Sequence, residues 1–550
     1  MKSGVAIQCF LLAILFVRRV LGPSSKVCLQ KFGNFSNENI FSALFLSLDF
    51  SHNSTMHGIQ YLGESRRHWS ERVFWIISFV ISVCGCAMLI NKIYEKWQTS
   101  PVIVSFDERS TPVWEIPFPA VTICPESKIH VDRFNFTDAY KKFTSADYHG
   151  NFSYDDLRHL EAMALICEQQ LFDHHEIDAD LHGSQIVPVL KNISLTPDEM
   201  LYSCKWRNHE EECEALFTEI ITEEGFCYVF NVLAFSEMYR EEMWVWTCLL
   251  PVNLNLNFRS SSLATDFKYE NPSIPSTDWS LEEGYKTSDF YVHPRRVLGP
   301  GALAGLSVVF KVDISDFDYV CRGSVQGFRI LLNTPGDISR VGKQYFRVPL
   351  HQEIVVSVKP NMISTSHTLD DYTPDRRQCF FNHERELKFF KVYSQNNCEF
   401  ECLVNATLAR CNCVKFSMPR DNDTNICTHN ERFCYDETET DLMKEALNLS
   451  LKSGRKKKSE KPCNCLPSCT SISYDTEISQ GDFDYDKAAD EEGNFSNVVL
   501  GRLTIFFKEP QFITSKRSEL YGVTDFMANV GGLLGELMTL NVNWRIKFSL

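Results

Sequence analysis

Two apolar stretches lie within the first hundred residues of the sequence. The first covers residues 5–17 and, at about 13 residues, is shorter than a membrane-crossing helix and suits the core of a signal peptide. The second covers residues 73–94, and its first 18 residues carry no charged side chain. Because about 20 apolar residues cross a bilayer as a helix, this stretch predicts a transmembrane helix. A buried helix in a soluble core is the alternative interpretation.

The cysteines indicate that the middle of the chain lies in an oxidising compartment. The sequence has 21 cysteines, and 17 of them lie between Cys124 and Cys469. Such a density is rare in the cytosol and common in secreted and cell-surface proteins. The net charge of −16 argues against a nucleic-acid-binding protein. Six Asn-x-Ser/Thr triplets in the same stretch and a seventh shortly after it predict N-glycosylation at Asn135, Asn151, Asn192, Asn405, Asn422, Asn448 and Asn494.

These two signals together predict a topology. The cysteine-rich region follows the apolar helix, so we expect residues 95–520 outside the cell and residues 1–72 in the cytoplasm. Whether residues 1–22 are a true cytoplasmic segment or include a cleaved signal stays open.

Ten cysteines are concentrated between residues 372 and 474. Cys398 and Cys402 are four residues apart and would share one face of a helix, whereas Cys463 and Cys465 are two apart and would share one face of an extended segment. Zinc binding is the alternative, but the Cys-x-Cys spacing is not the usual one for zinc. With these spacings, a helix and an antiparallel strand could be joined by nested disulfides, with Cys398–Cys465 and Cys402–Cys463 inside and Cys379–Cys469 outside them. The pairs Cys411–Cys434 and Cys413–Cys427 would then close the connecting turn.

The order of motifs along the chain resembles the epithelial sodium channel/degenerin/acid-sensing channel family, and in particular its insect pickpocket branch. HNSTMHGIQYL precedes the apolar helix, and YEKWQTSPVIV follows it. LYSCKW, EEGFCYVFN, DYVC and GFRILLNTP come next, then the ten-cysteine block, and last YGVTDFMANVGGLLG. The resemblance covers the chain from about residue 50 to about residue 535.

The resemblance implies an α+β membrane protein with two transmembrane helices and a large, disulfide-rich ectodomain. That ectodomain would contain a β-rich palm and a helical thumb, the thumb being residues 372–474. The family pattern supports the nested pairing above and also implies the pairs Cys124–Cys227 and Cys204–Cys213. Cys167, Cys248 and Cys321 remain without an assigned partner, and because three is odd, at least one should be a free thiol or pair elsewhere.

The resemblance also implies which residues control the channel. His57 and Gly58 match a gating pair on the cytoplasmic side of the first helix. Tyr94 and Trp97 match the aromatic junction between ectodomain and membrane, although Tyr and Trp favour that depth as interfacial anchors too. Residues 521–550 would begin the second membrane helix, with the extracellular gate and the start of the pore helix at Ala528, Asn529, Gly531, Gly532 and Gly535, where small residues let helices approach closely.

The match to the family stops after Gly535. Residues 536–550 contain no Gly-x-Ser selectivity element. The segment 523–540 has about 18 residues and is interrupted by Asp525, Asn529 and Glu536. We therefore expect an atypical C-terminus with a truncated second membrane helix.

The expected function is that of a subunit of a trimeric, amiloride-sensitive-type sodium channel in the plasma membrane, opened by an extracellular stimulus. The expected partners are homologous subunits in a homo- or heterotrimer, membrane lipid and an extracellular ligand, but no nucleic acid. Sodium would be the permeant ion, with no cofactor and no metal site. The alternative is a non-conducting subunit or a ligand-binding receptor that lacks the filter. An enzyme is disfavoured, because the segment Asp173–Glu176 is better explained as a solvated acidic stretch.

Overall fold

The computed structural model describes most of the chain. The described residues are 68–99, 102–145, 152–172, 177, 181, 183–245, 259–264, 266, 268–269, 279–289, 291–452, 463–484, 497–520 and 522–548. Outside them lie several residues singled out from the sequence, namely His57, Gly58, Asn151, Cys248, Asn494 and the segment 173–176.

The chain divides into two compact units. The first takes in the chain up to Ile103, the inserted segment Ser366–Arg377 and the chain from Ser518 onward. The second comprises Val104–Thr365 and Gln378–Arg517. Three stretches that are far apart in the sequence therefore meet in the first unit.

The described α-helices are numbered here in chain order. They are α1 (Trp69–Thr99), α2 (Phe136–Thr144), α3 (Tyr154–Ala164), α4 (Gly183–Ile193), α5 (Pro197–Met200), α6 (Cys213–Leu216), α7 (Phe235–Met238), α8 (Pro374–Arg377), α9 (Gln395–Cys411), α10 (Arg432–Lys452) and α11 (Val523–Phe548).

The described strands are numbered in the same way. They are β1 (Val102–Pro112), β2 (Ala120–Pro125), β3 (Leu201–Trp206), β4 (His209–Glu211), β5 (Phe217–Thr222), β6 (Gly225–Phe230), β7 (Glu242–Val245), β8 (Arg259–Ser262), β9 (Trp279–Ser280), β10 (Gly284–Tyr285), β11 (Leu306–Asp313), β12 (Gly327–Asn333), β13 (Phe346–Pro349), β14 (Gln352–Thr365), β15 (Ser471–Asp482), β16 (Val498–Phe507) and β17 (Gln511–Glu519).

The first unit is built on the long helices α1 and α11, with the short helix α8 beside them. Helix α1 has 31 residues and contains the apolar stretch 73–94 noted in the sequence. Helix α11 has 26 residues and continues to Phe548, beyond the segment 523–540 expected from the sequence. Among the helices of the described residues, none satisfies both the length and the hydropathy needed to cross a membrane.

The second unit is built on two larger sheets. The eight-stranded sheet has the order β1-β17-β14-β16-β11-β3-β4, with β15 paired to β14 as well. The five-stranded sheet has the order β13-β12-β2-β6-β5. Strand β11 shows why these segments form strands, because Leu306, Val308 and Phe310 are fully buried and alternate with the less deeply buried Ser307, Val309 and Lys311. The observed fold is the mixed α+β fold that the resemblance implied.

An aromatic cluster fills the core with side chains from both larger sheets. Phe118 lies 5.0 Å from Trp206 on β3 and 5.6 Å from Phe507 on β16, measured between ring centroids. Trp206 lies 5.0 Å from Phe230 on β6 of the five-stranded sheet. Rings at these separations pack favourably in tilted and edge-to-face geometries. The two sheets are therefore joined through a shared aromatic core.

A buried ionic cluster lies at the edge of the five-stranded sheet. Glu224 is bound by three cations, Lys128 at 3.1 Å, Arg322 at 2.6 Å and Arg329 at 3.0 Å. Arg329 also binds Glu126 at 2.8 Å. Burial lowers the pKa of Lys128 to about 8, which shows how strongly the site is shielded from water. The cations and carboxylates of this cluster therefore neutralise one another, and removing one of them leaves its partners with one counter-ion fewer.

The second unit contains all eight disulfides of the described residues. Seven of them are the pairs expected from spacing and resemblance, Cys124–Cys227, Cys204–Cys213, Cys379–Cys469, Cys398–Cys465, Cys402–Cys463, Cys411–Cys434 and Cys413–Cys427. The eighth joins Cys167 to Cys321, two of the three cysteines that had no assigned partner. The expectation of a disulfide-rich ectodomain is therefore supported by the fold.

One detail of the disulfide-linked residues 372–474, here called the stapled region, differs from the expectation. Cys398 and Cys402 lie on helix α9 as predicted, but residues 463–465 form irregular chain rather than a strand. Asn464 between the two cysteines has a φ of 43°, which takes the backbone out of the extended conformation. Strand β15 begins only at Ser471, after Cys469.

Helices α9 and α10 are fastened together at one end. The disulfide Cys411–Cys434 joins the end of α9 to the start of α10. Arg410 adds ion pairs across the same two helices, at 2.7 Å to Glu437 and 2.8 Å to Asp441. This helix pair is therefore held by a covalent bond as well as by packing.

The pairing of Cys167 with Cys321 can be tested directly. Proteolysis without reduction should release one peptide pair that contains both cysteines. Replacing both with Ala should lower the free energy of unfolding by about 2–4 kcal/mol, because the bridge constrains a long loop of the unfolded chain. A peptide in which Cys248 is linked to Cys167 or Cys321 would contradict the assignment.

The buried ionic cluster predicts a large effect of a small substitution. Glu224→Gln should destabilise the protein by about 3–5 kcal/mol, because it leaves the buried Lys128 and Arg329 and the mostly buried Arg322 without their shared carboxylate. The matched control is Glu353→Gln, which removes a partly exposed pair with Arg502 at 3.5 Å and should cost about 0–1 kcal/mol. If denaturant unfolding shows that both variants lose the same free energy of unfolding, the buried cluster contributes no more than an exposed ion pair.

Candidate functional site

The first unit contains a stack of three aromatic rings and one guanidinium group, here called the junction stack. Phe526 on α11 lies 5.3 Å from Trp97 on α1, and the two rings are stacked. The guanidinium of Arg376 on α8 lies 4.4 Å from the centre of the Trp97 ring and 4.3 Å from that of Tyr372. Arg376 also donates to the Trp97 carbonyl oxygen at 3.4 Å. Tyr94 lies beside the stack, 5.9 Å from Trp97 and 6.3 Å from Phe526.

The local fold explains how Arg376 reaches this position. Pro374 opens α8, where its fixed φ suits the first helical residue. The backbone N–H groups of Arg376 and Arg377 both donate to the Thr373 carbonyl oxygen at 2.9 Å. The side chain of Arg376 is thereby placed on a short, defined turn rather than on a loose loop.

The fully buried Arg377 fixes the turn that carries Tyr372. Its guanidinium donates to the carbonyl oxygens of Leu369 at 3.1 Å and of Tyr372 at 2.7 Å. Charge-assisted bonds of this kind are stronger than bonds between neutral groups. Arg377 therefore supports the junction stack indirectly, by fixing the turn of Tyr372, whereas Arg376 contacts the rings itself.

The electrostatics of the stack follow from partial burial. Tyr372 is half-buried, and burial raises the pKa of its hydroxyl, with the nearby Glu519 carboxylate as a second cause. The ring therefore stays neutral over the physiological range. Trp and Tyr ring faces attract cations, and this attraction strengthens when water is partly excluded.

The start of α11 is capped so that Phe526 points into the stack. The backbone N–H of Gly522 donates to the Asp525 carboxylate at 3.2 Å, and the N–H of Phe526 donates to the Gly522 carbonyl oxygen at 3.0 Å. A carboxylate in the first turn also suits the positive end of the helix dipole. The capped turn sets the direction in which Phe526 leaves the helix.

The small residues near the start of α11 leave open space beside the helix among the described residues. Ala528 and Asn529 are exposed, and the Asn529 amide donates back to the Asp525 carbonyl oxygen at 2.8 Å. A Cβ atom added to Gly531, Gly532 or Gly535 would meet no atom within 4 Å. Along the described chain, these positions leave room beside the helix.

Five of the seven predicted glycosylation sites belong to the described residues, and all five side chains are exposed. They are Asn135, Asn192, Asn405, Asn422 and Asn448. The amide of Asn135 also caps α2, because its oxygen accepts from the Asp138 N–H at 3.0 Å. Exposure satisfies the steric condition for attaching a glycan.

Sequence reasoning identified only part of the junction stack. Tyr94 and Trp97 were named, and the structure brings them together with three residues that were not, namely Phe526, Arg376 and Tyr372. Arg376 and Trp97 are 279 residues apart, so no local spacing indicates that they meet. The available signal was the segment YTPDRRQC, where a Tyr and two Arg residues precede the first cysteine of the block.

Comparison with known proteins places the chain among ion channels. The family model described as amiloride-sensitive sodium channel matches residues 50–538. Pickpocket protein 28 of Drosophila melanogaster is 28% identical over 506 residues, which cover 89% of this chain and 75% of that protein. Sodium channel protein Nach of the same species is 23% identical, over 88% of this chain and 82% of the relative. Acid-sensing ion channel 2 of Homo sapiens is 20% identical, again over 88% of this chain and 82% of the relative.

The matched region contains α1, the larger part of α11, both larger sheets and the whole ten-cysteine block. The resemblance drawn from the sequence motifs is thereby confirmed, and because this family consists of channels, the chain is not an enzyme. The chain belongs to the amiloride-sensitive sodium channel family.

Proposed function

We propose that the chain is a subunit of a trimeric, amiloride-sensitive-type sodium channel that passes sodium ions passively across the plasma membrane when an extracellular stimulus opens it. The observation that carries this proposal is the family match over residues 50–538. Relatives named as pickpocket, Nach and acid-sensing channels over most of the chain support it. The proposal covers both a trimer of identical subunits and a trimer that combines homologous subunits.

The proposed topology has two membrane segments and a large extracellular part. The first segment is residues 73–94, whose first 18 residues carry no charge in the sequence, and the second begins in residues 521–550. Eight disulfides and five exposed glycosylation sites support an extracellular position for residues 95–520. Glycans at the predicted asparagines and contact of both helices with lipid belong to this proposal.

The junction stack is proposed to carry motion of the ectodomain to the membrane helices. Arg376 and Tyr372 lie on the segment that leads directly into Cys379, the first cysteine of the stapled region. Trp97 lies near the end of α1, and Phe526 lies at the start of α11. A displacement of the segment carrying Arg376 would therefore act on both helices at once. In this proposal Tyr94 and Trp97 form the junction and His57 with Gly58 form the cytoplasmic gating pair.

Helix α11 is proposed to line the pore. Its open face at Gly531, Gly532 and Gly535 would let the same helix of neighbouring subunits approach closely. Ala528 would lie at the extracellular gate, where a larger side chain would hold the helices apart. Asn529 would place a polar side chain at the same level.

A non-conducting subunit or a ligand-binding receptor is the second candidate. Two observations favour this candidate. Residues 536–550 contain no Gly-x-Ser element that could select sodium, and the apolar segment of α11 is interrupted by Asp525, Asn529 and Glu536. The same recordings decide between the two candidates.

Adding bulk at Ala528 tests conduction without knowledge of the stimulus. Ala528→Phe should give a standing inward sodium current that amiloride blocks, at least about tenfold above wild-type, a change of about 1.4 kcal/mol in the opening equilibrium. Whole-cell recording with sodium replaced by a large organic cation measures it. The matched control is Met527→Phe, which adds bulk at an adjacent exposed position and should leave the current low.

If Ala528→Phe reaches the cell surface and carries no sodium current, alone or with a pickpocket subunit, the non-conducting candidate is correct. Surface biotinylation separates this outcome from a failure of trafficking.

The junction stack should show measurable coupling between Trp97 and Arg376. Arg376→Gln and Trp97→Leu should each destabilise the purified full-length protein, and the double variant should lose less than the sum by about 1 kcal/mol, because the cation–ring contact is lost only once. Arg376→Lys keeps the charge and should keep part of the coupling. Strict additivity in thermal unfolding would mean that the contact contributes nothing.

A further inference from the structure

A cavity of about 690 Å³ opens in the second unit beside the five-stranded sheet. Helix α4, strands β5 and β6 and the segment after β12 contribute its walls. Apolar and aromatic side chains line much of it, among them Val187, Phe217, Phe226, Tyr239 and Ile338. Its size lies within the range of cavities that hold small organic ligands.

One half-buried carboxylate in this cavity lacks a counter-ion. Asp337 has no ion-pair partner within the described part of the chain, and its hydrogen bond comes from the Ser394 hydroxyl. Of the other lining carboxylates, Glu219 binds Lys191 at 2.5 Å and Asp266 binds an arginine of the stapled region, whereas Glu214 is exposed to solvent, as is the lining cation Lys268. Burial raises the pKa of Asp337 to about 6, which is what an uncompensated carboxylate in apolar surroundings shows.

An uncompensated carboxylate destabilises the fold, and the same group can bind a cationic ligand. A buried charge without a partner is unfavourable until an opposite charge reaches it. At neutral pH the Asp337 carboxylate is ionised and could pair with an entering cation. The faces of Phe217, Phe226 and Tyr239 would attract the same cation and cover the apolar part of the molecule that carries it.

We propose that this cavity binds a small organic cation, a protonated amine on an apolar body, with the ammonium group against Asp337 and the apolar body against Phe217 and Ile338. The site is distinct from the junction stack and from helix α11. Binding is a property of the second unit and does not require that the protein conduct ions.

The probe is 2-phenylethylamine, measured by calorimetry and thermal shift on the detergent-solubilised full-length protein at neutral pH. Saturable binding and a rise in melting temperature are expected. The neutral analogue 2-phenylethanol should bind at least about tenfold more weakly, and the anionic analogue 3-phenylpropionate should not bind. Failure of the amine to bind at millimolar concentration, or equal binding by the alcohol, would overturn the proposal.

Variants of Asp337 separate loss of the site from loss of the fold. Asp337→Asn should weaken binding of the amine at least about tenfold, and without ligand it should melt at a higher temperature than wild-type, because an uncompensated, half-buried charge is removed. Asp337→Glu should keep binding in part. The matched control is Asp198→Asn, an exposed carboxylate outside the cavity, which should leave the affinity unchanged.

Unchanged affinity in a folded Asp337→Asn variant would exclude the assigned role of this carboxylate. Because binding is read without any current, a failure here leaves the channel proposal standing, and an absence of current leaves this site standing.

Discussion

The contact on which this account depends is the guanidinium of Arg376 held between the rings of Trp97 and Tyr372. It joins α1 to the segment that leads into the cysteine-rich block, and Phe526 extends the stack to α11. Three stretches that are far apart in the sequence thus share one set of contacts. Each ring contact is weak alone, but the four groups lie in series, so removing the central cation separates the segments it joins. The buried Arg377 supports this arrangement by fixing the turn of Tyr372.

The second unit consists of parts that resist deformation. Eight disulfides, the aromatic core around Phe118 and the ionic cluster around Glu224 all limit local movement. A stiff body transmits displacement rather than absorbing it, and interiors at close-packed density behave in this way. Among these features Asp337 is an exception, since a half-buried carboxylate without a counter-ion opposes stability. Because the Asp337 carboxylate does not stabilise the fold, ligand binding explains its position in the cavity better than a structural role does.

The sequence predicted those features that depend on local spacing. Cys398 and Cys402 share a helix face because they are four residues apart, and the motifs around Tyr94, Trp97 and Ala528 were sufficient to indicate the family. It could not predict contacts between residues that are distant in the chain. Cys167 and Cys321 are 154 residues apart, and the partner of Trp97 on α8 is further still. The strand expected at residues 463–465 was wrong because Asn464 adopts a positive φ, which its residue type permits but does not require.

Hydrogen–deuterium exchange of the full-length protein tests the central claim most directly. If the junction stack joins three segments into one cooperative unit, replacing Arg376 with Gln should speed exchange in residues 366–377, at the end of α1 and at the start of α11 together. The exchange of the core strands β11 and β16 should stay as in wild-type. Faster exchange confined to residues 366–377, with α1 and α11 unchanged, would contradict the account.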